Sequence, residues 1–256
     1  MSSTAHRKRR RRRGLVLAIL IPLVILGLLA VLWVVGDVYA RDVTEAGISD
    51  GIEQQLPPTV EGSVVTKIGE GSVLAQFLRG TIDEISLDSD QLTVSGAPAV
   101  VHVDLRGVPT DYQTKPTDSA AGTLRFTDTA AGQLLAQQGV EGTISFGDGV
   151  VNYADTTQVF GQDIPFTVEL QPALADGVVS FTPNGGTVTV FGHDFDASRL
   201  IALVAPDGLS ICVAQYLPSA LQLNRLQISE QEAVVGFSAH DITFSPSTMQ
   251  STGTCG

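Results

Sequence analysis

The chain has 256 residues, 43% hydrophobic and only 6% aromatic, with 15 Lys and Arg against 27 Asp and Glu. Seven of the basic residues lie before residue 14, where there are no acids, so the remainder carries 8 − 27 = −19. That balance argues against a nucleic-acid partner, which needs a basic surface, and against flat electrostatic adhesion to anionic lipid.

Residues 1–13 form a basic tail ending in RKRRRRR, and residues 14–35, GLVLAILIPLVILGLLAVLWVV, contain no charged side chain. Twenty-two residues at helical rise cover about 33 Å, enough to cross a hydrocarbon core of about 30 Å. Trp33 suits an interfacial position, and the basic block stays on the cytoplasmic side. The expectation is a single-pass cell-membrane anchor with the N-terminus cytoplasmic and the main domain extracytoplasmic. Val38-Tyr39-Ala40 also offers a cleavage site, which would give a secreted protein, although the apolar run exceeds the usual signal core of about 7–15 residues. No cysteine stands directly after the run, which argues against a lipoprotein anchor.

Residues 36–56 read as a juxtamembrane helix with an apolar stripe through Tyr39, Val43, Ile48, Ile52 and Leu56, interrupted at Gly47 and Gly51 and ended by Pro57-Pro58. From residue 57 to 246 the apolar period changes to two. It shows at Leu92/Val94, Val101/Val103/Leu105, Leu124/Phe126, Ile144/Phe146, Ile164/Phe166/Val168/Leu170, Val188/Val190 and Val235/Phe237. Such alternation predicts antiparallel strands with one apolar and one wet face. Turns are expected at Gly147–Gly149, Asp176-Gly177, Pro183–Gly186 and Asp207-Gly208. Short helices are expected at 72–78, capped by Ser72, at 128–138, capped by Thr127 or Asp128, and at 196–204. The stretch 109–122 reads as a long mobile loop, and residues 247–256 as a C-terminal tail. In FLRGTIDEISL, residues 77–87, Gly80 marks the passage from helix to strand. The spacing of Ile82 and Ile85 predicts a β-bulge at Asp83-Glu84. The fold class is therefore α+β: one exported domain dominated by antiparallel sheet. That sheet either closes on itself or leaves an apolar groove.

Cys212 and Cys255 both lie in the exported part, where a disulfide is permitted. Joined, they would pin the tail by a loop worth roughly 4 kcal/mol in the chain-entropy model; two free thiols are the alternative. Catalytic signatures are absent: no G-x-S-x-G elbow, phosphate-binding loop or H-E-x-x-H occurs. His102/Asp104, His193/Asp194 and His240/Asp241 read as wet-face pairs. No metal or cofactor is called for. The alternatives to a binding function with lipid are an acidic scaffold domain tethered to the membrane for protein partners, or an envelope hydrolase built on His193 and Asp194.

The order of FLRGTIDEISL, VHVDLRGV at 101–108, TLRFTDTAAGQLLA at 123–136 and YLPSALQLNRLQIS at 216–229 resembles the LmeA-like family of actinobacterial envelope proteins, over roughly residues 14–246. The resemblance implies binding of phospholipid, including phosphatidylinositol-type lipid, outside the cytoplasmic membrane. It also implies a role in maintaining the envelope or its lipid-linked glycans. The implied fold is a long, curved sheet wrapping short helices around an apolar groove, as in tubular lipid-binding folds. On that footing the acyl chains are expected among Phe77, Leu78, Ile82, Leu124, Phe126, Leu134 and Leu135, and the headgroup near Arg79, Arg106 or Lys67.

Overall fold

The computed structural model describes residues 6–54, 56, 59–137, 139, 141–159, 161–190, 192–196, 198 and 209–255. Helix α1 (His6–Glu53) is a single run of 48 residues, without the expected interruption at Gly47 and Gly51. Its continuity has a tertiary cause. Strand β2 (Val65–Ile68) pairs on one side with β3 (Thr81–Val94). On its other side, side chains of α1 meet the backbone N–H groups of alternate residues. Val64 donates to Glu53 Oε1 at 2.9 Å, Thr66 to Ser49 Oγ at 3.2 Å and Ile68 to Glu45 Oε1 at 2.8 Å. Four helical residues rise about 6 Å and two strand residues about 6.6 Å, so the periods match. The stripe continues to Arg41, whose guanidinium donates to the carbonyls of Ile68, Gly69 (3.1 Å) and Gly71 (2.8 Å). It ends at Asp37, whose Oδ1 accepts from Ser72 Oγ (2.7 Å) and Leu74 N–H (2.9 Å). This docking offsets the cost of about 1 kcal/mol for each interior glycine.

The expected α+β architecture is observed, with the sheet divided in two. The first sheet runs β1 (Val60–Glu61), β3, β4 (Ala97–Pro109), β5 (Thr117–Phe126), β13 (Ala233–Ile242) and β12 (Gln222–Ile228), with β2 also against β3. The second comprises β6 (Thr143–Phe146), β7 (Val151–Val159), β8 (Gln162–Ala175), β9 (Val178–Val190), β10 (His193–Asp196) and β11 (Leu209–Cys212). Its order is β10-β9-β8-β7-β6, with β11 also on β9. Every pairing among the described residues is antiparallel. Two long hairpins turn on two residues each, Ser95-Gly96 (φ 51° and 80°) and Asp176-Gly177 (φ 50° and 76°), the doubly left-handed turn that matches strand twist.

Helix α2 (Val73–Arg79) is capped by Ser72, whose Oγ accepts from Ala75 N–H at 3.2 Å, and closes at Gly80 with φ 80°. Helix α3 (Asp128–Gln137) is capped by Thr127, whose Oγ1 accepts from Ala130 N–H at 3.3 Å. A short helix in the tail, α4 (Pro246–Gln250), is capped by Ser245.

Three local expectations change, and two more fall largely outside the described residues. Pro183–Gly186 is not a turn but part of β9. There the register slips between Glu169↔Gly185 and Leu170↔Pro183, leaving Asn184 as the extra residue of a bulge. The Asp83-Glu84 bulge is absent: the β3–β4 register is constant from Thr81↔Pro109 to Ser89↔Val101 and shifts only between Ser89 and Leu92. The loop at 109–122 shortens to residues 110–116, tied by Thr114 and Lys115 N–H donating to Asp111 O (3.2 and 2.9 Å). The helix expected at 196–204 falls largely outside the described residues, as does the Asp207-Gly208 turn, while Asp196 itself ends β10.

Candidate functional site

The two sheets border a half-open cavity of about 840 Å³ between them. Its wall is built by the period-two positions of strands from both. Leu170, Pro172 and Leu174 come from β8, Val179 and Phe181 from β9, Leu209 and Ile211 from β11, and Ala233, Val235 and Phe237 from β13. Leu124 and Phe126 of β5, Ile144 and Phe146 of β6, and Ala131 and Leu135 of α3 complete one side. On β12 the wall residues are Leu223, Leu226 and Ile228, continuing Leu221 before it. The three-residue step from Leu223 to Leu226 is absorbed by a register slip at Asn224, which keeps both leucines on the inner face. Gly236 lies opposite; a Cβ there would stand 2.8 Å from Asn224 Oδ1 and 2.9 Å from Arg225 Cβ, so the slip requires glycine. Gly122 plays the same part for Phe237, whose ring would be 2.5 Å from an added Cβ.

The 24 described lining residues include one polar side chain, Tyr153. Its hydroxyl is held by Asp155 Oδ2 at 2.9 Å and by the Glu141 carbonyl, and burial, then the Asp155 hydrogen bond, pushes its pKa up. A space of this size and character takes hydrocarbon and offers no partner to a charge. One corner is packed: Phe126 and Phe146 meet edge to face, centroids 6.2 Å apart.

One wall is clamped by the C-terminus. Cys212 and Cys255 stand at disulfide geometry, with S–S 2.08 Å and Cα–Cα 5.8 Å. Around them Gly253 N–H donates to Ala214 O (3.1 Å) and Leu217 O (3.0 Å), and Ser219 N–H to Ser251 O (2.7 Å). Val213 and Ala214 N–H in turn donate to Gly177 O in the β8–β9 turn (2.9 and 3.1 Å). The segment carrying Val213, Leu217 and Leu221 of the wall is thus tied at both ends.

Of the apolar residues expected to hold acyl chains, Leu124, Phe126 and Leu135 line the cavity. Leu134, half-buried on α3, is not in the wall. Ile82 is packed with Ile68, Val73, Ile85 and Val108 in a separate core near α1. Phe77 and Leu78 are exposed on α2, whose inner side is Val73 and Gln76. The three cations are not brought to the cavity either. Each sits with a carboxylate: Arg79 with Asp83 (2.9 Å), Arg106 with Glu84 (3.6 Å) and Lys67 with Asp88 (3.9 Å). Gln76 explains the unpaired backbone at Asp83, since its Oε1 accepts the Asp83 N–H at 2.8 Å.

The histidine pairs lie on strand surfaces. His102 bridges Asp88 (Nδ1, 2.6 Å) and Asp104 (Nε2, 3.1 Å), and Ser86 Oγ donates to Asp104 (2.7 Å). The hydroxyl is therefore turned to a carboxylate and not to the imidazole, unlike a nucleophile with its base. His193 and Asp194 are exposed on β10, where Asp194 accepts from Thr189 Oγ1 at 2.6 Å. Among the described residues no group of three or more His, Cys, Asp or Glu is placed to hold a metal ion.

A family model described as LmeA-like phospholipid-binding matches residues 35–237. The chain belongs to that family. No curated protein and no solved structure matches it. The matched span of this LmeA-like protein contains α2, every described residue of the cavity wall and both sheets up to the middle of β13, and it ends at Phe237, before α4 and Cys255. Wall positions that the sequence did not single out lie chiefly on β8, β9, β11 and β12, and those on β12 had a signal in L-x-L-x-x-L-x-I at 221–228. Two period-two pairs offset by one residue are what a bulged strand with a single apolar face looks like.

Proposed function

We propose that this LmeA-like protein is a membrane-anchored, extracytoplasmic phospholipid carrier that houses acyl chains between its two sheets and serves the cell envelope or its lipid-linked glycans. It acts by binding and not by catalysis. The observation that carries this is the cavity: about 840 Å³ walled by hydrocarbon, in a chain of the phospholipid-binding family. Each buried methylene contributes roughly 0.8 kcal/mol, so acyl chains alone supply the affinity, less the cost of ordering them. The headgroup stays outside, since the described wall residues include no cation to receive it.

Retention of the anchor is supported by α1, a helix long and apolar enough to cross a membrane. The candidate cleavage site at Ala40 lies inside that helix, between Asp37 and Arg41, both hydrogen-bonded to the domain. The cavity is far from the anchor. The wall stretches from Leu124, which pairs through Val101 to Ser89, eight residues along β3 from Thr81, to Phe237, which pairs through Gly122 and Val103 to Leu87, six residues from Thr81; at strand rise these are about 26 and 20 Å. Lipid held there is removed from the bilayer, which favours a carrier or presenter over a protein that grips lipid in the membrane plane. A tethered scaffold called for a closed core, which the cavity does not offer.

The test is native mass spectrometry with lipid extraction on the full chain purified in detergent. Phospholipid should co-purify, and Val235→Trp, which fills the cavity from β13, should lose it while keeping the fold by circular dichroism. A native chain that carries no lipid and cannot be loaded sinks the proposal.

A further inference from the structure

The outward side of α2 is apolar and uncovered. Leu78 is 82% and Phe77 43% exposed, while Val73 and Gln76 on the inner side are buried. Beside the helix, Gly80 O accepts the Thr110 N–H at 3.0 Å, which brings up the 110–116 turn with Tyr112, itself 45% exposed. These residues belong neither to the cavity nor to a packed core.

The hydrogen bonds along α1 fix the height of this patch. β2 runs antiparallel to α1, from Val64 at Glu53 to Ile68 at Glu45, so the chain is returning toward the N-terminal part of the helix. It reaches Asp37 at Ser72 and Leu74, where α2 begins. A Cβ on Gly36 would lie 3.7 Å from Leu74 Cδ1. β3 gives an independent measure. Ile85 pairs with Ile68, and Thr81 lies four residues further toward the same end, about 13 Å; that length corresponds to roughly nine residues of helix and places Thr81 near residue 36. Thus α2, the Gly80 turn and the Tyr112 turn all stand where the uncharged run 14–35 stops, next to Trp33, which is 46% exposed.

We infer that α2 and the Tyr112 turn form a second membrane contact, with Phe77, Leu78 and Tyr112 set into the outer interface of the bilayer that α1 crosses. This rests on α1 being a retained span. Amphipathic elements settle at that depth by burying a few apolar side chains while polar neighbours stay in the headgroup layer. Arg79, Lys115 and Asp111 are placed there. The net charge of −19 beyond the basic tail makes the contact depend on apolar burial and not on anionic lipid. Two points of attachment, one along α1 and one beside it, would stop the domain tilting and hold the cavity at a fixed distance from the surface.

The chain has one tryptophan, Trp33, which makes the test direct. The full chain is reconstituted in phosphatidylcholine vesicles with plain or brominated acyl chains, and tryptophan emission is compared. Three proteins are used: the native chain, Trp33→Phe/Phe77→Trp, and Trp33→Phe/Phe195→Trp, the last reporting an exposed position on β10. Loss of emission with brominated lipid is expected at positions 33 and 77 and not at 195, and Leu78→Asp should restore emission at 77. Quenching at 33 without quenching at 77 overturns the second contact and leaves the anchor standing. No quenching at 33 removes the anchor and the contact together. Quenching at 195 as well shows an unspecific effect and overturns the assignment.

Discussion

The two ends of the molecule bury apolar residues in opposite ways. Beside α1, Ile68, Val73, Ile82, Ile85 and Val108 are all 6% exposed or less and touch one another. The backbone edge there is closed by the Asp37, Arg41, Glu45, Ser49 and Glu53 side chains. Between the sheets, leucines, valines and phenylalanines of the same kind face about 840 Å³ of open space. What differs is the cover. Where a helix lies on the sheet, the apolar face closes into a core. Where sheet faces sheet, with α3 in one corner among the described residues, bulges at Asn184 and Asn224 bend the strands and the faces stand apart. An apolar face left open in water is costly, so the hollow end is the one that calls for a ligand.

The largest effect expected from breaking this contrast is at Ile85. Ile85→Ala removes a residue 3% exposed and should cost about 2–5 kcal/mol, because a tight core cannot refill the space. Leu223→Ala takes the same number of atoms from a half-buried residue that already borders the void, so it should cost less than about 2 kcal/mol, the transfer part alone, while lowering lipid load. Denaturant titration of lipid-free protein compares the two. Equal costs would mean that the space between the sheets is packed in solution.

Next is the clamp. Cys212→Ser/Cys255→Ser should lower stability by about 2–4 kcal/mol. Its more telling effect is on lipid: the segment bearing Val213, Leu217 and Leu221 is released from the tail, so bound lipid should exchange faster into acceptor vesicles. If stability falls and the exchange rate does not, the clamp supports the fold without governing the cavity. A smaller effect belongs to the docked end. Arg41→Ala removes three charge-assisted hydrogen bonds to carbonyls and should cost about 1.5–3 kcal/mol, seen as faster amide exchange at Thr66 and Ile68. Unchanged exchange there would mean that the helix holds the edge through Glu45 and Ser49 alone.

Much of this contrast could be read from the residues, and the part that could not has a definite cause. Alternation placed the strands, Ser72 and Gly80 bracketed α2, and Thr127 opened α3, because caps and period two are local signals. Pro183-Asn184-Gly185-Gly186 misled because the same residues serve turns and bulges; only the partner strand decides. The continuity of α1 was hidden for a similar reason. Gly47 and Gly51 weaken an isolated helix, and the β2 edge that compensates lies more than ten residues away in sequence. The apolar candidates divided the same way. Phe126 and Ile82 look alike as alternating residues, and only tertiary cover sends one to the cavity and the other to the core. Arg79, Arg106 and Lys67 stood out as rare cations beside glycine or in a strand, and each proved to stand next to an acid.

The smallest expected effect tests whether the wet face of the first sheet contributes at all. His102 lies between Asp88 on β3 and Asp104 on its own strand, with Lys67 on β2, and Glu84 and Arg106 further along the same face. The hydrogen bond to Asp88 raises its pKa above the ordinary 6.5, burial opposes this, and the Asp104 bond adds to the rise. The Asp104 carboxyl is held below its ordinary value, first by the Ser86 hydroxyl, burial opposing, and then by His102. A raised histidine pKa means that the folded state holds the proton more tightly than the unfolded chain. The stabilisation is therefore complete below 6.5 and disappears as pH rises through the folded value. His102 is 41% exposed, so water screens the pair and the gain stays under about 1 kcal/mol. The stability difference between the native chain and His102→Gln should accordingly be largest in mildly acidic solution, above the range where Asp104 takes up its proton, and should shrink toward alkaline pH. A difference that is flat across that range would show that Ser86, Asp88 and Asp104 hold this face without the imidazolium.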